Sequence, residues 1–170
     1  SGGGVERSLL SWLDGVGWET HGQDGGRGAN VLDEAYERDS HEVIYWNLLA
    51  ERVVEINEDM TEDNVETFIS SLRRELDTDN LVDGNQDFYQ LLTKGKTFSI
   101  QRQDGSSETI YVDLIDYENP ENNRYHAVNQ FSVSRETTIR PDVNLFVNGI
   151  PLMTMELKSL TQDNDWHDAV

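Results

Sequence analysis

The chain has 170 residues and carries 33 acidic side chains against 13 basic ones, for a net charge of −20 at neutral pH. This length is enough for one domain with a hydrophobic core and too short for two of ordinary size. The sequence contains no cysteine, which excludes disulfides and thiolate metal sites. It has no basic and apolar leader and no apolar run of about 18 residues, so we expect a cytoplasmic protein without membrane contact.

The first half of the chain is predicted to be mainly helical. Residues 1–4 have the composition of a flexible lead or a cloning remnant. Residues 21–30 are expected to form a glycine-rich loop. Asp39 or Ser40 is expected to cap the helix predicted over residues 41–56. Apolar side chains at helical spacing predict helices over residues 5–15, 41–56, 61–76 and about 88–94.

The second half is predicted to consist of strands. Alternating apolar and polar residues indicate strands over 97–102, 109–115 and 125–133, with a turn at 119–123. In the third of these strands, Ala127, Asn129 and Phe131 are expected on one face. The four histidines show no metal-binding spacing, and most are expected to be solvated.

Residues 140–158 are predicted to form a β-hairpin around an Asn148-Gly149 turn. Directly opposed residues of antiparallel strands point to the same face, so the polarity pattern selects the register. A two-residue loop would place Val143 opposite a polar threonine. We prefer a loop one residue longer, because it places Val143 opposite Met155 and makes one face of the hairpin wholly apolar.

The preferred register also brings three charged groups together. It sets Asp142 opposite Glu156, with Lys158 on the same face about 6–7 Å further along the strand. Opposed carboxylates with Cβ atoms roughly 5 Å apart can share one hard divalent cation such as Mg²⁺. The backbone carbonyl of Leu157 would add an oxygen ligand, and Lys158 would orient an attacking water or stabilise a phosphate. On the pattern alone, a solvated Glu156–Lys158 pair on an outer face remains an alternative.

Asp142, Glu156 and Lys158 resemble the PD-(D/E)XK nuclease motif. The surrounding sequence resembles, more specifically, the N-terminal endonuclease region of the restriction (R) subunit of type I restriction-modification enzymes. The resemblance runs from about residue 81 to residue 159. It is carried by Leu-Ile-Asp-Tyr-Glu-Asn-Pro-Glu-Asn-Asn at 114–123, by Val-Asn-Gln-Phe at 128–131 and by residues 140–159. Asn-Gly-Ile-Pro-Leu followed by Glu-Leu-Lys is far more specific than the bare catalytic pattern.

This resemblance implies an α/β fold with a PD-(D/E)XK nuclease-like core, in which helices flank a mixed β-sheet, truncated at the C-terminus. Residues 5–170 would then be the N-terminal part of a single endonuclease domain. The family also implies an acidic residue of the first helix near the metal, and Glu6 is the matching position. Arg140 and Gln130 are candidate DNA contacts.

The implied activity is Mg²⁺-dependent cleavage of phosphodiester bonds in duplex DNA, in defence against foreign DNA. In the parent enzyme the resemblance implies an ATP-driven motor whose nucleotide site lies outside this chain. It further implies methyltransferase and specificity subunits as partners. The fragment by itself is expected to bind metal poorly and to cut nothing.

The acidic composition opposes DNA binding, because duplex affinity usually comes from Lys and Arg that neutralise phosphates. At molar salt the Debye length falls to about 3 Å, so such a surface would no longer repel DNA at range. A lysine-poor, acidic chain is what the cytoplasm of a halophile would favour. Two alternatives remain: a different PD-(D/E)XK defence nuclease attached to another motor, and a non-catalytic acidic α/β interaction module whose carboxylates are surface residues.

Overall fold

The computed structural model describes residues 3–24, 26–76, 81–134 and 138–158. Helices in these ranges are α1 (Gly3–Gly15), α2 (Gly28–Ala35), α3 (Trp46–Ile56), α4 (Glu62–Leu76) and α5 (Leu81–Lys94). Strands are β1 (Glu19–His21), β2 (Lys96–Gln101), β3 (Ser107–Val112), β4 (Tyr125–Asn129), β5 (Val133–Ser134), β6 (Thr138–Ile139), β7 (Val143–Val147) and β8 (Ile150–Met155). A short 3₁₀ helix spans Pro120–Asn122. Within the described ranges, no helix is long and apolar enough to cross a membrane.

The main sheet is mixed and has the strand order β1-β4-β7-β8. Its first pair, β1 and β4, is parallel, and the two following pairs are antiparallel. The predicted class, an α/β fold with a mixed sheet, is therefore confirmed. Strands β2 and β3 form a separate two-stranded sheet, as do β5 and β6.

Helices cover both faces of the main sheet because side chains of β4 and β7 alternate between two apolar clusters. Ala127 and Val143 pack with Leu10 of α1 on one face. On the other face, Val128 and Phe146 pack with α2 and with the residues that lead into α3. Complete burial of a large apolar side chain such as that of Leu10 or Phe146 contributes about 1.5–3 kcal/mol.

A third apolar cluster joins α3, α4 and α5 to the β2–β3 hairpin. Its fully buried members include Val53, Phe68, Leu72 and Ile100. Ile150, the first residue of β8, belongs to the same cluster. The turn end of the β7–β8 hairpin is consequently anchored in the helical part of the protein.

The structure corrects several predictions for the first half. The predicted loop at 21–30 contains the end of β1 and the start of α2. The helix predicted over 41–56 begins only at Trp46, and Tyr45 is its N-cap, without a side-chain cap bond. Asp39 instead accepts a hydrogen bond from the backbone amide of His41, at 2.8 Å. Helix α1 begins at Gly3, inside the predicted flexible lead.

In the second half of the chain, the structure corrects the strand predicted over 125–133. β4 ends at Asn129, because Gln130 adopts a left-handed conformation with φ of 55°. The alternation of faces is lost at this point. Phe131 therefore packs against Phe146, on the face opposite to the one predicted from its spacing to Ala127.

Candidate active site

The β7–β8 hairpin has the predicted register at its open end. Val143 pairs with Met155, and Leu145 pairs with Met153. The predicted longer loop is wrong, however, because Val147 pairs with Ile150 across a two-residue turn.

The one-residue shift between the closed and open ends of the hairpin arises within strand β8 and not from a longer turn. Asn148 and Gly149 both have positive φ, 52° and 83°, as a tight hairpin turn requires. Phe146 pairs with Pro151, whereas its neighbour Leu145 pairs with Met153. Leu152 is thus the extra residue of a β-bulge, a feature that alternation alone does not reveal.

The three predicted catalytic residues lie at the open end of this hairpin. Asp142 directly precedes β7, whereas Glu156 and Lys158 follow β8. Continuing the observed register by one residue sets Asp142 opposite Glu156. Glu156 and Lys158 are exposed, and Asp142 is half-buried.

Two backbone hydrogen bonds fix the position of Asp142. The Leu157 amide donates to Asp142 Oδ2 at 2.6 Å. The Gln130 amide donates to the Asp142 carbonyl at 3.1 Å. The carboxylate of Asp142 is thereby tied to the segment that carries Glu156 and Lys158.

The donor set at this end is of a kind that suits Mg²⁺. Asp142 and Glu156 supply carboxylate oxygens, and the Leu157 carbonyl is a further oxygen donor. Among the described residues, no group of three or more His, Asp and Glu side chains is arranged to hold a metal ion. Glu6 does not complete such a group, and its role as a ligand stays a prediction, as does the metal itself.

Glu6 is instead bound to the sheet through Asn129. The Asn129 amide donates to Glu6 Oε1 at 2.5 Å and to the Gly26 carbonyl at 2.9 Å, and its Oδ1 accepts from the Gly28 amide at 2.5 Å. Asn129 is buried, with an exposed fraction of 1%. The sequence predicted only that Asn129 lies on one face of a strand, and these internal bonds occupy its side chain.

The two predicted DNA contacts lie close to the hairpin in the chain. Arg140 is exposed and lies two residues before Asp142. Gln130 is half-buried, and its carbonyl accepts a hydrogen bond from Arg27 Nη2 at 3.2 Å. Arg27 also donates to the Ser132 hydroxyl at 3.2 Å. The sequence did not single out Arg27, because its partners are more than a hundred positions away.

A pair of histidines on the neighbouring strands β1 and β4 was also missed. His126 is buried, and its Nδ1 lies 3.3 Å from Nε2 of half-buried His21. Burial lowers the pKa of His126 to about 4, against the opposing effect of the Glu19 carboxylate. Burial likewise lowers the pKa of His21. The expectation of solvated histidines fails here, because the parallel pairing of β1 with β4 creates the contact.

The fold and this site together define a class of protein. It is an α/β domain with a mixed sheet, in which one hairpin carries two carboxylates and a lysine at its open end. A family model described as the type I restriction enzyme R protein N terminus matches residues 4–170. The chain therefore belongs to the family of type I restriction enzyme R protein N-terminal regions.

Two relatives agree with this assignment. The type I restriction enzyme HindI endonuclease subunit of Haemophilus influenzae is 35% identical over 159 residues, which is 91% of this chain and 14% of that protein. The protein named "Putative type I restriction enzyme MjaIXP endonuclease subunit" from Methanocaldococcus jannaschii is 27% identical over 170 residues, or 97% of this chain and 16% of that protein. The chain thus spans about a seventh of the length of these relatives.

Proposed function

We propose that this chain is the endonuclease region of a type I restriction enzyme R subunit and that it hydrolyses phosphodiester bonds of duplex DNA. The hydrogen bond from the Leu157 amide to Asp142 Oδ2 is the observation that carries the proposal. It ties the first acidic residue of the motif to the strand end that bears the other two charged residues. The names of the two relatives, both endonuclease subunits, support the same activity.

The catalytic roles follow from the chemistry of each group. Asp142, Glu156 and the Leu157 carbonyl would hold Mg²⁺. When bound, Mg²⁺ would lower the pKa of a water molecule and neutralise charge that develops on the phosphate. Lys158 would orient the attacking water or stabilise the pentavalent phosphate through its ammonium group. The exposure of Glu156 and Lys158 is compatible with access by a large substrate.

The proposed fold is a PD-(D/E)XK nuclease core formed by β4, β7, β8 and α1. Packing of α1 against one face of the sheet formed by β4, β7 and β8 supports this proposal, because it brings the acidic helix position Glu6 to the sheet. Arg140 and Gln130 are proposed to contact the DNA backbone. Phosphate contacts of this kind position a nuclease on duplex DNA without reading its sequence.

The setting of the activity is also a proposal. The R subunit would be driven by ATP at a site outside this chain and would act with methyltransferase and specificity subunits in the cytoplasm, against foreign DNA. The net charge of −20 supports a halophilic host, since molar salt shortens electrostatic repulsion from DNA to about 3 Å. The acidic surface equally favours a non-catalytic interaction module, and the experiment below separates the two.

The test is plasmid cleavage by the full-length subunit, assembled with its partners, in molar KCl with Mg²⁺ and ATP. We expect Asp142→Ala and Lys158→Ala each to lower the cleavage rate by about a thousandfold, because each removes a group that stabilises charge in the transition state. ATP hydrolysis should persist in both variants, since the motor lies elsewhere. If both variants cut like the parent, the acidic interaction module becomes the better account.

A further inference from the structure

Many basic side chains of this acidic protein are paired with carboxylates. Ion pairs between described residues hold the following arginines and lysines: Arg38, Arg52, Arg73, Lys96, Arg102 and Arg124. None of these ion pairs between described residues includes Arg27, Arg140 or Lys158. In a chain with 33 acidic and 13 basic residues, cations without a carboxylate partner are the ones that remain available to an external anion.

The helix that follows Arg27 does not explain why an arginine stands there. Arg74 and Lys94, which also lack a carboxylate partner among the described residues, lie in the last turns of α4 and α5. The helix dipole favours a positive charge at that end. Arg27 is instead the N-cap of α2, where the dipole disfavours a cation and small polar residues are preferred. Its side chain makes no cap bond.

Arg27 lies beside the segment that positions Asp142. Its Nη2 donates to the Gln130 carbonyl and to the Ser132 hydroxyl, both at 3.2 Å. The amide of the same Gln130 donates to the Asp142 carbonyl at 3.1 Å. Because these bonds engage the two ends of one residue, the guanidinium lies within about 10 Å of the Asp142 carbonyl. Arg27 is exposed, so a solvent-accessible cation stands at the same end of the sheet as the proposed nuclease centre.

The guanidinium of Arg27 also has hydrogen-bond donors to spare. Both of its bonds use Nη2, whereas a guanidinium carries five N–H donors on three nitrogens. Neither Nε nor Nη1 has a partner among the described residues. Bonds to uncharged oxygens thus fix the side chain and leave its charge and further donors for an anion.

We propose that Arg27 binds a DNA phosphate next to the one that is cut, and this proposal rests on the proposed function. Successive phosphates of one DNA strand are separated by about 3.4 Å along the helix axis. A phosphate bound at Asp142 therefore has neighbours within the distance that separates Asp142 from Arg27. A contact of this kind carries no sequence information and holds the strand in the nuclease centre.

A purely structural role makes a different prediction. If Arg27 only ties the start of α2 to residues 130–132, its replacement slows cleavage by the same factor at every salt concentration. A phosphate contact displaces cations that are condensed on the DNA, so its contribution shrinks as salt rises. Arg74 provides a matched control, because it is an exposed arginine whose described hydrogen bond goes to a backbone carbonyl, that of Ser70.

The experiment measures the rate of plasmid cleavage by the assembled enzyme, with Mg²⁺ and ATP, over a tenfold range of KCl concentrations. Arg27→Gln should cut about tenfold more slowly than the parent at the lowest salt, because it loses one charge-assisted hydrogen bond. Over the tenfold rise in KCl this deficit should shrink by about eightfold. Arg27→Lys keeps the charge and should cut nearly like the parent. Arg74→Gln removes the same charge elsewhere and should cut like the parent.

Each outcome decides the proposal. A parent-like rate of Arg27→Gln at the lowest salt overturns it, as does an equal loss in Arg74→Gln. A deficit that is the same at every KCl concentration assigns Arg27 a structural role and overturns it as well. The same holds if Arg27→Lys cuts as slowly as Arg27→Gln.

A second variant covers the case in which Arg27→Gln does not fold. Arg27→Ser also removes the charge, and serine is a preferred N-cap residue, so this variant supports the start of α2. It should show the same salt-dependent deficit, and a parent-like rate overturns the proposal. If Asp142→Ala itself cuts like the parent, the proposed nuclease centre fails, which is a result distinct from all of these.

Discussion

The two ends of the β7–β8 hairpin are built in opposite ways. At the closed end Asn148 is completely buried, and its side chain makes three hydrogen bonds, two as donor to Leu114 and Asn123 and one as acceptor from Arg124. At the open end Glu156 and Lys158 are exposed. The hairpin is thus anchored at its closed end by the bonds of Asn148 and presents charged groups at its open end.

The anchoring of the closed end explains why asparagine and glycine are required at positions 148 and 149. The Asn148 amide bonds to the Leu114 carbonyl and to Asn123 Oδ1, so it ties the turn to the two ends of the 114–123 segment. The Gly149 carbonyl accepts from the Tyr45 amide at 2.9 Å, and a Cβ atom at Gly149 would lie 2.6 Å from the Tyr45 carbonyl. The Asn-Gly pair is therefore required by packing as well as by turn geometry.

The largest predicted effect on stability comes from breaking the closed end. Asn148→Ala should lower the free energy of unfolding by about 3–5 kcal/mol, because it leaves several buried groups without partners and places alanine at positive φ. Urea unfolding of the 170-residue chain measures this change. Asn47→Ala, at an exposed position of α3, is the control and should change stability little. Equal effects of the two substitutions would contradict the assignment of the closed end as the anchor.

The second prediction concerns pH, because His126 pairs with Phe146 next to the closed end. Burial lowers the pKa of His126 to about 4, so acid protonates the unfolded chain first. The neutral, buried His126 ring contributes its full share of stability above the unfolded-state pKa of about 6.5. This contribution is lost as the pH falls toward 4. Between pH 7 and pH 5 this loss should be about 2 kcal/mol.

Urea unfolding at the two pH values measures it. His126→Gln should remove this part of the pH dependence, whereas His41→Gln, at an exposed position, should retain it. The other groups that act on the pKa of His126 are Glu19, which raises it, and His21 and Arg124, which lower it. An unchanged pH profile in His126→Gln would show that burial of this ring does not control acid stability.

The smallest predicted effect on stability belongs to the open end. Glu156→Gln and Lys158→Gln should each change the free energy of unfolding by less than about 0.5 kcal/mol, since both side chains are exposed. Urea unfolding of the two variants beside the parent chain provides the values. A loss comparable to that of Asn148→Ala would mean that these residues support the fold and are not presented for chemistry.

The sequence predicts this hairpin well because its apolar face permits one register only. Val143 and Met155 had to share the buried face, whatever the turn was. The bulge at Leu152 could not be predicted, since an extra strand residue and an extra loop residue produce the same pairing at the open end. Burial of the turn was equally hidden, because it depends on segments distant in sequence.

The same physical reason explains the other errors. Strand β1 has three residues and lies beside glycines, so it offers no periodic pattern. The contact between Glu6 and Asn129 spans 123 positions, and that between His21 and His126 spans 105. Long helices such as α4 were predicted correctly because their own spacing and first-turn charges specify them.

The most direct test of the account measures DNA cleavage and unfolding together for Asp142→Asn and Asn148→Ala in the full-length subunit with its partners. Asparagine at position 142 keeps an oxygen for the Leu157 amide and removes only the charge. The account predicts that Asp142→Asn abolishes cleavage with stability and ATP hydrolysis unchanged, whereas Asn148→Ala is less stable but still cuts at low temperature. Normal cleavage by Asp142→Asn would contradict the account. Loss of cleavage by a folded Asn148→Ala protein would contradict it as well.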